Sequence, residues 1–382
     1  MAKDNEKLSK DLFQPIELSA EKSEELTRPE LSFWKDAWIR LRKNKAAILG
    51  LIFLVIIFFM AFVGPHMNKY EGTDALYEAK NLPPRVQGLE WMELFDGKHA
   101  WYVQGPTSEQ AIEKGLSVFK VEDEHVRVTV VSEGNESTGE LAEVELYIDE
   151  YATRGLEDRY YWFGADAMGR DLWTRVWEGT QISLYIGILA AAIDMIIGVI
   201  YGGVSAYYGG RVDNYMQRFI EVLVGIPNLV VVILMIIVLD PGLMAITLAL
   251  TITGWTGMAR IVRGQVLKLK NQEFVLAAKT LGSNDKRILG KHLVPNVTGI
   301  IVINTMFTIP GAIFFESFLS FIGLGLQPPF ASLGTLIDQA FDSYQIYPFM
   351  LLFPSLIIST LMIGFNMLAD GLRDALDPKM RD

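Results

Sequence analysis

Six stretches of this chain are too apolar for the interior of a soluble domain, and they restrict it to a membrane architecture. They lie at 46–64, 182–206, 219–239, 243–255 (extended by its neighbours), 297–317 and 349–369. A hydrocarbon layer about 30 Å thick is crossed by roughly 20 apolar residues in a helix, and only structures that close their own backbone hydrogen bonds can cross it. In the first stretch, the Leu, Ile, Phe and Val residues contribute about −4 to −8 kcal/mol to insertion. The expected fold is an all-α polytopic membrane protein with six transmembrane helices.

The chain is 51% hydrophobic and still 21% charged, so a sizeable polar portion accompanies the spans. Its net charge of −11 arises largely between residues 66 and 180, where acids outnumber bases by roughly two to one. Such a surface does not favour nucleic acid. With no cysteine there is neither a disulfide framework nor a thiolate site. His66, His99, His125 and His292 are scattered without metal-ligand spacing, and no serine sits in a nucleophile elbow. Neither a catalytic residue nor a metal site is expected.

Residues 1–28 are polar and aperiodic and read as a flexible cytoplasmic tail. In 29–45, Leu31, Trp34, Trp38 and Leu41 recur at helical spacing while Lys35, Arg42 and Lys43 lie elsewhere, as in a helix at a lipid interface. The span at 46–64 begins too late and is too long for a cleaved leader, so it is expected to remain as an anchor. Arg40, Arg42, Lys43 and Lys45 ahead of it place the N-terminus in the cytoplasm. The same count puts the loops at 207–218 and 260–296 inside, with Arg211, Arg218, Arg260, Arg263, Lys268 and Lys270 among their cations. The loop at 318–348 carries Asp338 and Asp342 with no Lys or Arg and falls outside, and the C-terminus, with Arg373, Lys379 and Arg381, falls inside.

Residues 66–160 form an extracytoplasmic insertion, expected to be α/β or β-rich. Val126, Val128 and Val130 alternate with other residues, as do Val144, Leu146 and Ile148, which predicts paired strands. Trp91, Trp101 and Tyr102 are candidates for its core. A unit this small is marginal alone and should lean on the membrane part or on a partner.

The polar segment 273–296 separates two spans. Leu276, Ala277 and Ala278 present a helix face of little bulk, followed by Lys279, and Gly282 removes the Cβ where the chain reverses. Asp285, Lys286 and Arg287 belong to a second short helix, which Pro295 is expected to end. Small residues on one side and cations on the other suit a docking surface for a cytoplasmic partner, and equally an ordinary re-entry loop. Three acids lie in or beside spans, Asp194, Glu221 and Glu316. Each belongs either to a polar translocation path or to interhelical hydrogen bonding, since a charge at the bilayer centre costs roughly 2.5–3.5 kcal/mol. Gly323, Leu324 and Gly325, ahead of Pro328 and Pro329, are expected to break the chain between an outer re-entrant helix and the last span. Gly202 and Gly203, with Gly209 and Gly210, favour close helix packing and a turn.

The loop, with Ala277, Ala278, Gly282 and Pro295, resembles the EAA loop of ABC importer permeases, the segment that docks in a cleft of the ATPase subunit. Leu276 stands where that motif has its glutamate, and His292 where it has isoleucine. The segment 164–187 resembles the outer signature of the oligopeptide, dipeptide and nickel group through Gly164, Asp166, Gly169, Arg170, Asp171, Thr174, Arg175, Ser183, Leu184 and Gly187. Ala165, Thr174 and Gln181 depart from it. Further matches run from Tyr207 to Asp213, from Trp255 to Gln265, from Glu316 to Pro329 and from Leu368 to Pro378. Together they resemble the C-type subunits of that group and imply a type I ABC importer permease fold, covering the first span and everything from about 160 onward, while 66–160 exceeds the usual first outer loop. The resemblance implies a B-type permease as heterodimer partner, two cytoplasmic ATPases that bind ATP and Mg, and an extracytoplasmic peptide-binding protein. It also implies an oligopeptide cargo in a bacterial cell membrane, with a dipeptide, nickel or another small solute as alternatives. A membrane receptor or scaffold that transports nothing is the reading from another class. Arg170, Asp171 and Arg175 are expected to form an exposed charge network that fixes the start of the following helix.

Overall fold

The computed structural model describes residues 33–134, 139–327 and 329–376. The tail at 1–28, Leu31, Pro328, Pro378, Lys379 and Arg381 lie outside these. The chain begins with α1 (Phe33–Lys43) and α2 (Lys45–Val63), joined at Asn44, whose side chain caps α2 by accepting from the Ala47 N–H at 3.2 Å. The stripe expected on α1 divides. Leu41 and Ala37 turn inward onto the end of the last helix, while Trp34 and Trp38 stay exposed with Arg42 4.9 Å above the Trp38 ring. Outward tryptophans beside a cation suit a lipid interface.

The insertion follows as β1 (Lys98–Gly105), α3 (Ser108–Phe119), β2 (Val126–Ser132) and β3 (Ala142–Asp149), an antiparallel sheet in the order β1-β3-β2. The two predicted strands pair as the alternation requires, Val126 opposite Ile148, Val128 opposite Leu146 and Val130 opposite Val144; α3 covers Val126 and the β3 residues, while Val128 and Val130 stay exposed at the sheet edge. Gly115 lets α3 lie close, since a Cβ there would press on Leu146. Of the expected aromatic core only Trp101 packs inward, 4.6 Å from Phe119. Tyr102 points to the opposite face because strand side chains alternate, and it donates to Glu145 at 3.0 Å; Trp91 is also exposed.

The insertion leans on the membrane part, as its size required. His99 and Trp101 reach Tyr347 at 5.3 and 6.2 Å, the Ala165 N–H donates to the Leu82 carbonyl at 2.9 Å, and Phe163 stacks on Phe353 at 3.8 Å.

The membrane part consists of α4 (Leu172–Tyr208), α5 (Gly210–Val224), α6 (Asn228–Leu239), α7 (Leu243–Leu269), α8 (Glu273–Thr280), α9 (Val294–Leu319), α10 (Leu333–Phe341) and α11 (Pro348–Leu376). Five helices among the described residues are long and apolar enough to cross a membrane, or six crossings if one bent pair counts as a span. That pair corrects the third predicted span: 219–239 is not one helix but the end of α5 and all of α6, meeting at 79°. The break falls at Pro227, which has no N–H for the helix ladder and sits at an extended ψ of 128°. The fourth span continues past 255 to Leu269 and absorbs Arg260 and Arg263, which had been assigned to the loop. Near the end, the turn at Gly323 (φ 80°) precedes the short helix α10 and does not follow it, so the expected order of break and re-entrant helix is reversed.

At 37 residues, α4 is about 55 Å long at 1.5 Å per residue, and it joins the insertion end of the bundle to the loop end. It packs along α7 and α9. Gly202 meets the Ala259 backbone so closely that a Cβ would overlap it, whereas the nearest atom to a Cβ on Gly203 is the Leu289 side chain at 3.8 Å. Gly202→Val should therefore push α4 off α7 and destabilise the protein by about 1–3 kcal/mol, while Gly203→Ala should leave stability nearly unchanged. Thermal unfolding of the two variants in detergent tests the pair, and equal melting temperatures would contradict this packing.

Candidate functional site

At the insertion end, α4 starts from a knot of buried charge. Asp166 is its hub: Oδ2 accepts from Arg170 at 2.8 Å and from Arg175 at 2.9 Å, and Oδ1 accepts from the backbone N–H groups of Met168 and Arg170. Gly169 closes this turn at φ 76°, where a Cβ would strike the Leu76 carbonyl. Asp171 caps α4, accepting from the Thr174 N–H at 2.8 Å and from Asn68 at 2.6 Å. Burial pushes its carboxyl above the ordinary carboxylate range, against the pull of those donors. The start of the helix is thus fixed as expected, but the network is not the exposed one expected. Arg175 is 2% exposed, and Asp166 rather than Asp171 carries the ion pairs.

At the other end, α8 reverses through Gly282 (φ 78°), whose N–H donates to the Lys279 carbonyl at 2.9 Å, and Ser283 reaches back to Ala278 at 3.0 Å. Asn284 caps the single turn Asp285–Arg287. Contrary to expectation, Pro295 does not end this second helix. A wider π-type segment, Ile288–Leu293, carries the chain straight into α9, where Pro295 occupies the first turn and its missing N–H is tolerated. The small-residue face also needs correction. Ala278 is buried with Val275 against Ile288 and Leu293, because residues three apart share a face, while Leu276, Ala277, Lys279, Lys286 and Arg287 are exposed. The exposed face is therefore more apolar than expected, with Phe274, Leu276 and Leu281 bare, the last 86% exposed.

The anchoring of this elbow was not read from the sequence. The Tyr207 hydroxyl donates to Asp285 at 2.7 Å, the Lys279 ammonium lies 5.0 Å from the Tyr207 ring, and Lys270 donates to the Ala206 carbonyl at 2.7 Å. Arg263, taken as a loop cation, forms two 2.6 Å bonds to Asp213 on α5, which also accepts from Ser205. The Tyr207–Gly210 stretch was noticed as a motif; its role as the fastening of the loop depends on side chains 78 residues apart and leaves no periodic signal.

The three acids have three different settings. Glu316 is fully buried and accepts from Ser183 on α4 at 3.2 Å and from Ser320 at 2.8 Å, which makes it an interhelical hydrogen-bonding partner. Glu221 pairs at 2.8 Å with Arg218 on its own helix, both side chains well exposed, and among the described residues it bonds to no other helix. Asp194 faces the bundle, as its cost in lipid demands, but its Oδ1 is buried without a partner. It lines a cavity of about 320 Å³ with Asn228, Thr253 and Thr308.

The model of the binding-protein-dependent transport system inner membrane component matches residues 194–382, and that of the N-terminal transmembrane domain of oligopeptide transport permease C matches residues 32–84. The chain is similar to the dipeptide transport permease DppC of Bacillus subtilis, 41% identical over 95% of this chain and 92% of that one. It is also similar to the oligopeptide transport permease OppC of the same organism, 38% identical over 98% of this chain and 99% of the relative. The DppC of Lactococcus lactis is 38% identical over 98% of each chain. These matches run through the insertion, so the insertion is shared with those relatives; the OppC of Escherichia coli matches over only 58% of this chain.

Removing one partner of a buried ion pair costs about 3–5 kcal/mol when the other charge is stranded, and somewhat less here because Asp166 keeps Arg170. Arg175→Ala should therefore markedly reduce the yield and melting temperature of the folded protein, whereas Arg218→Ala, at a side chain 81% exposed, should change stability by no more than about 0.5 kcal/mol. Similar losses in the two would mean that the Asp166 hub does not hold the outer turn together.

Proposed function

The chain belongs to the Opp/Dpp permeases of ABC importers, and from that membership we propose that it forms half of a peptide pathway driven by ATPases docked on its Glu273–Asn296 elbow. The observation that carries this reading is the elbow itself, an exposed apolar face of Phe274, Leu276, Ala277 and Leu281 flanked by Lys279, Lys286 and Arg287 and fastened to α4 through Tyr207 and Asp285. A greasy knob ringed by cations is what a cleft on a separate protein would take up. The other half is a B-type permease, the elbow faces two cytoplasmic ATPases that hold ATP and Mg, and the insertion faces an extracytoplasmic peptide-binding protein. Both termini lie in the cytoplasm of a bacterial cell, in agreement with the basic residues around α1 and in the loops.

The packing supports a route for the force. Val275, Ala278, Ile288 and Leu293 of the elbow share one core with Ala206, Val262, Val266 and Val297, so the ends of α4, α7 and α9 are joined to it. Closure of the ATPases displaces this body as a unit and switches the pathway from inward-facing to facing the loaded binding protein, and hydrolysis resets it. Oligopeptides are the cargo we favour. Dipeptides are the second reading, because the Bacillus relatives bear both names.

Gly282→Asp adds a side chain to a left-handed position and a charge to the docking face. The variant should still enter the membrane and assemble with its partner permease, yet lose peptide-stimulated ATP hydrolysis by at least about tenfold; undiminished stimulation would contradict docking at this elbow. For the insertion, Lys98 and Asp149 are direct partners across the sheet, so a short Gly-Ser bridge can replace everything between them. That variant should assemble normally and bind the loaded binding protein far more weakly in a pull-down, and unchanged binding would assign the insertion another task.

A further inference from the structure

Glu316 and Asp194 are both carboxylates buried in the bundle, but only Glu316 has its hydrogen-bond donors. Asp194 lies near the middle of α4, is 6% exposed, and forms no ion pair among the described residues. Gly254 on α7 makes room for it, since a Cβ there would overlap the carboxylate. It faces the cavity of about 320 Å³, in which no Lys or Arg takes part.

The hydroxyls on that cavity have already committed their protons. Thr253 donates to the Asn228 side chain at 3.0 Å and Thr308 donates to the Asn304 carbonyl at 3.0 Å, so both turn only lone pairs toward the space. With Asp194 this makes three acceptors; the Asn228 amide, whose oxygen is taken by Thr253, has N–H groups on the same cavity but no charge, so the carboxylate still calls for a donor that is also a cation. The cavity, about 320 Å³, has room for far more than a single ion. That is far looser than the cage of ligands at about 2.0–2.6 Å that a bare divalent ion demands. Leu250 and Phe315 complete the wall with an apolar surface.

An ammonium group carried on a residue with a side chain of its own meets all of these conditions. We infer that this cavity is a subsite for the amino terminus of a peptide in transit, with Asp194 as counter-ion and Thr253 and Thr308 as further acceptors, an inference that rests on the peptide-importer reading above. Every unblocked peptide carries that group whatever its sequence, so the site recognises the class of cargo and ignores its side-chain identity.

The test uses the complete transporter in proteoliposomes, supplied with saturating binding protein and either a free peptide or the same peptide N-acetylated. Wild type should carry the free peptide faster than the blocked one. Asp194→Asn should slow free-peptide uptake at least tenfold, bring the two rates together, and leave ATP hydrolysis stimulated by the loaded binding protein within twofold of wild type; Asp194→Glu should restore the preference. Free-peptide uptake that survives Asp194→Asn overturns the subsite. A loss shared equally by free and blocked peptide also overturns it, since a structural or proton-carrying role would act on both. Wild-type vesicles that accumulate neither peptide, with no stimulated hydrolysis, would instead bring down the importer reading, and this inference with it.

Discussion

Helix–helix attraction inside a bilayer gets little help from water, so it depends on how closely backbones approach, and in this protein that approach is made along α4. Gly198 and Gly202 bring it against Met258 and Ala259 of α7, and Gly187 brings it against Ile309 and Ile313 of α9. The same helix is held at both ends by polar groups that lie clear of its apolar middle: Asp171 with Asn68 and Thr174 at one, Tyr207 with Asp285 at the other. A rod packed along its length and fastened at its tips cannot bend much, so whatever is attached to one tip is mechanically joined to the other. The insertion and the elbow are those attachments.

Two buried carboxylates show how the bundle separates architecture from function. Glu316 collects donors from α4 and from the turn after α9, beside Ser332, which also forms the capping box of α10. Replacing any one donor weakens a joint between elements, and nothing remains over for a ligand. Asp194 has the opposite character. Thr253 and Thr308 on its cavity donate elsewhere, Gly254 makes room for the carboxylate, and the resulting deficit persists because the surrounding helices are fixed by their own packing. Unsatisfied polar groups in hydrocarbon are costly, and Asp194 Oδ1, one of several among the described residues along with Arg175 Nε and Trp177 Nε1 on the same helix, lines a cavity between helices from which it could be completed.

The spans were legible because twenty apolar residues in a row have few physical interpretations, and the two valine-rich strands because alternation at period two is equally restrictive. What the sequence concealed has a common cause. Pro227 was in plain view, but apolar residues on both sides satisfied the hydropathy of a straight span, and hydropathy does not sense a missing N–H. Ala278 was placed on the docking face by its size, whereas its orientation follows from the three-residue offset to Val275, which packs into the core. Asp166, Arg170 and Arg175 could be recognised as a motif, yet which acid served as the hub depended on the turn at Gly169 bringing Arg175 back onto Asp166. Strand β1 was missed because its aromatic residues read as core material, and they are divided between the two faces of the sheet.

The arrangement also says where the molecule can give. The elbow, the inner ends of α4 and α7 and the start of α9 share one tightly packed core, and such cores shift as units because they do not deform continuously. Arg263 and Asp213 add α5 to this body. The chain then breaks at Pro227, and α6 leaves at 79° with its own packing against α7. The α5–α6 break is therefore a place where a displaced elbow can part from α6. Asn228, the first residue beyond that break, faces Asp194 across the cavity. On the docking proposed above, a movement of the elbow that turned about Pro227 would change the distance between Asn228 and Asp194, which line this cavity from α6 and α4.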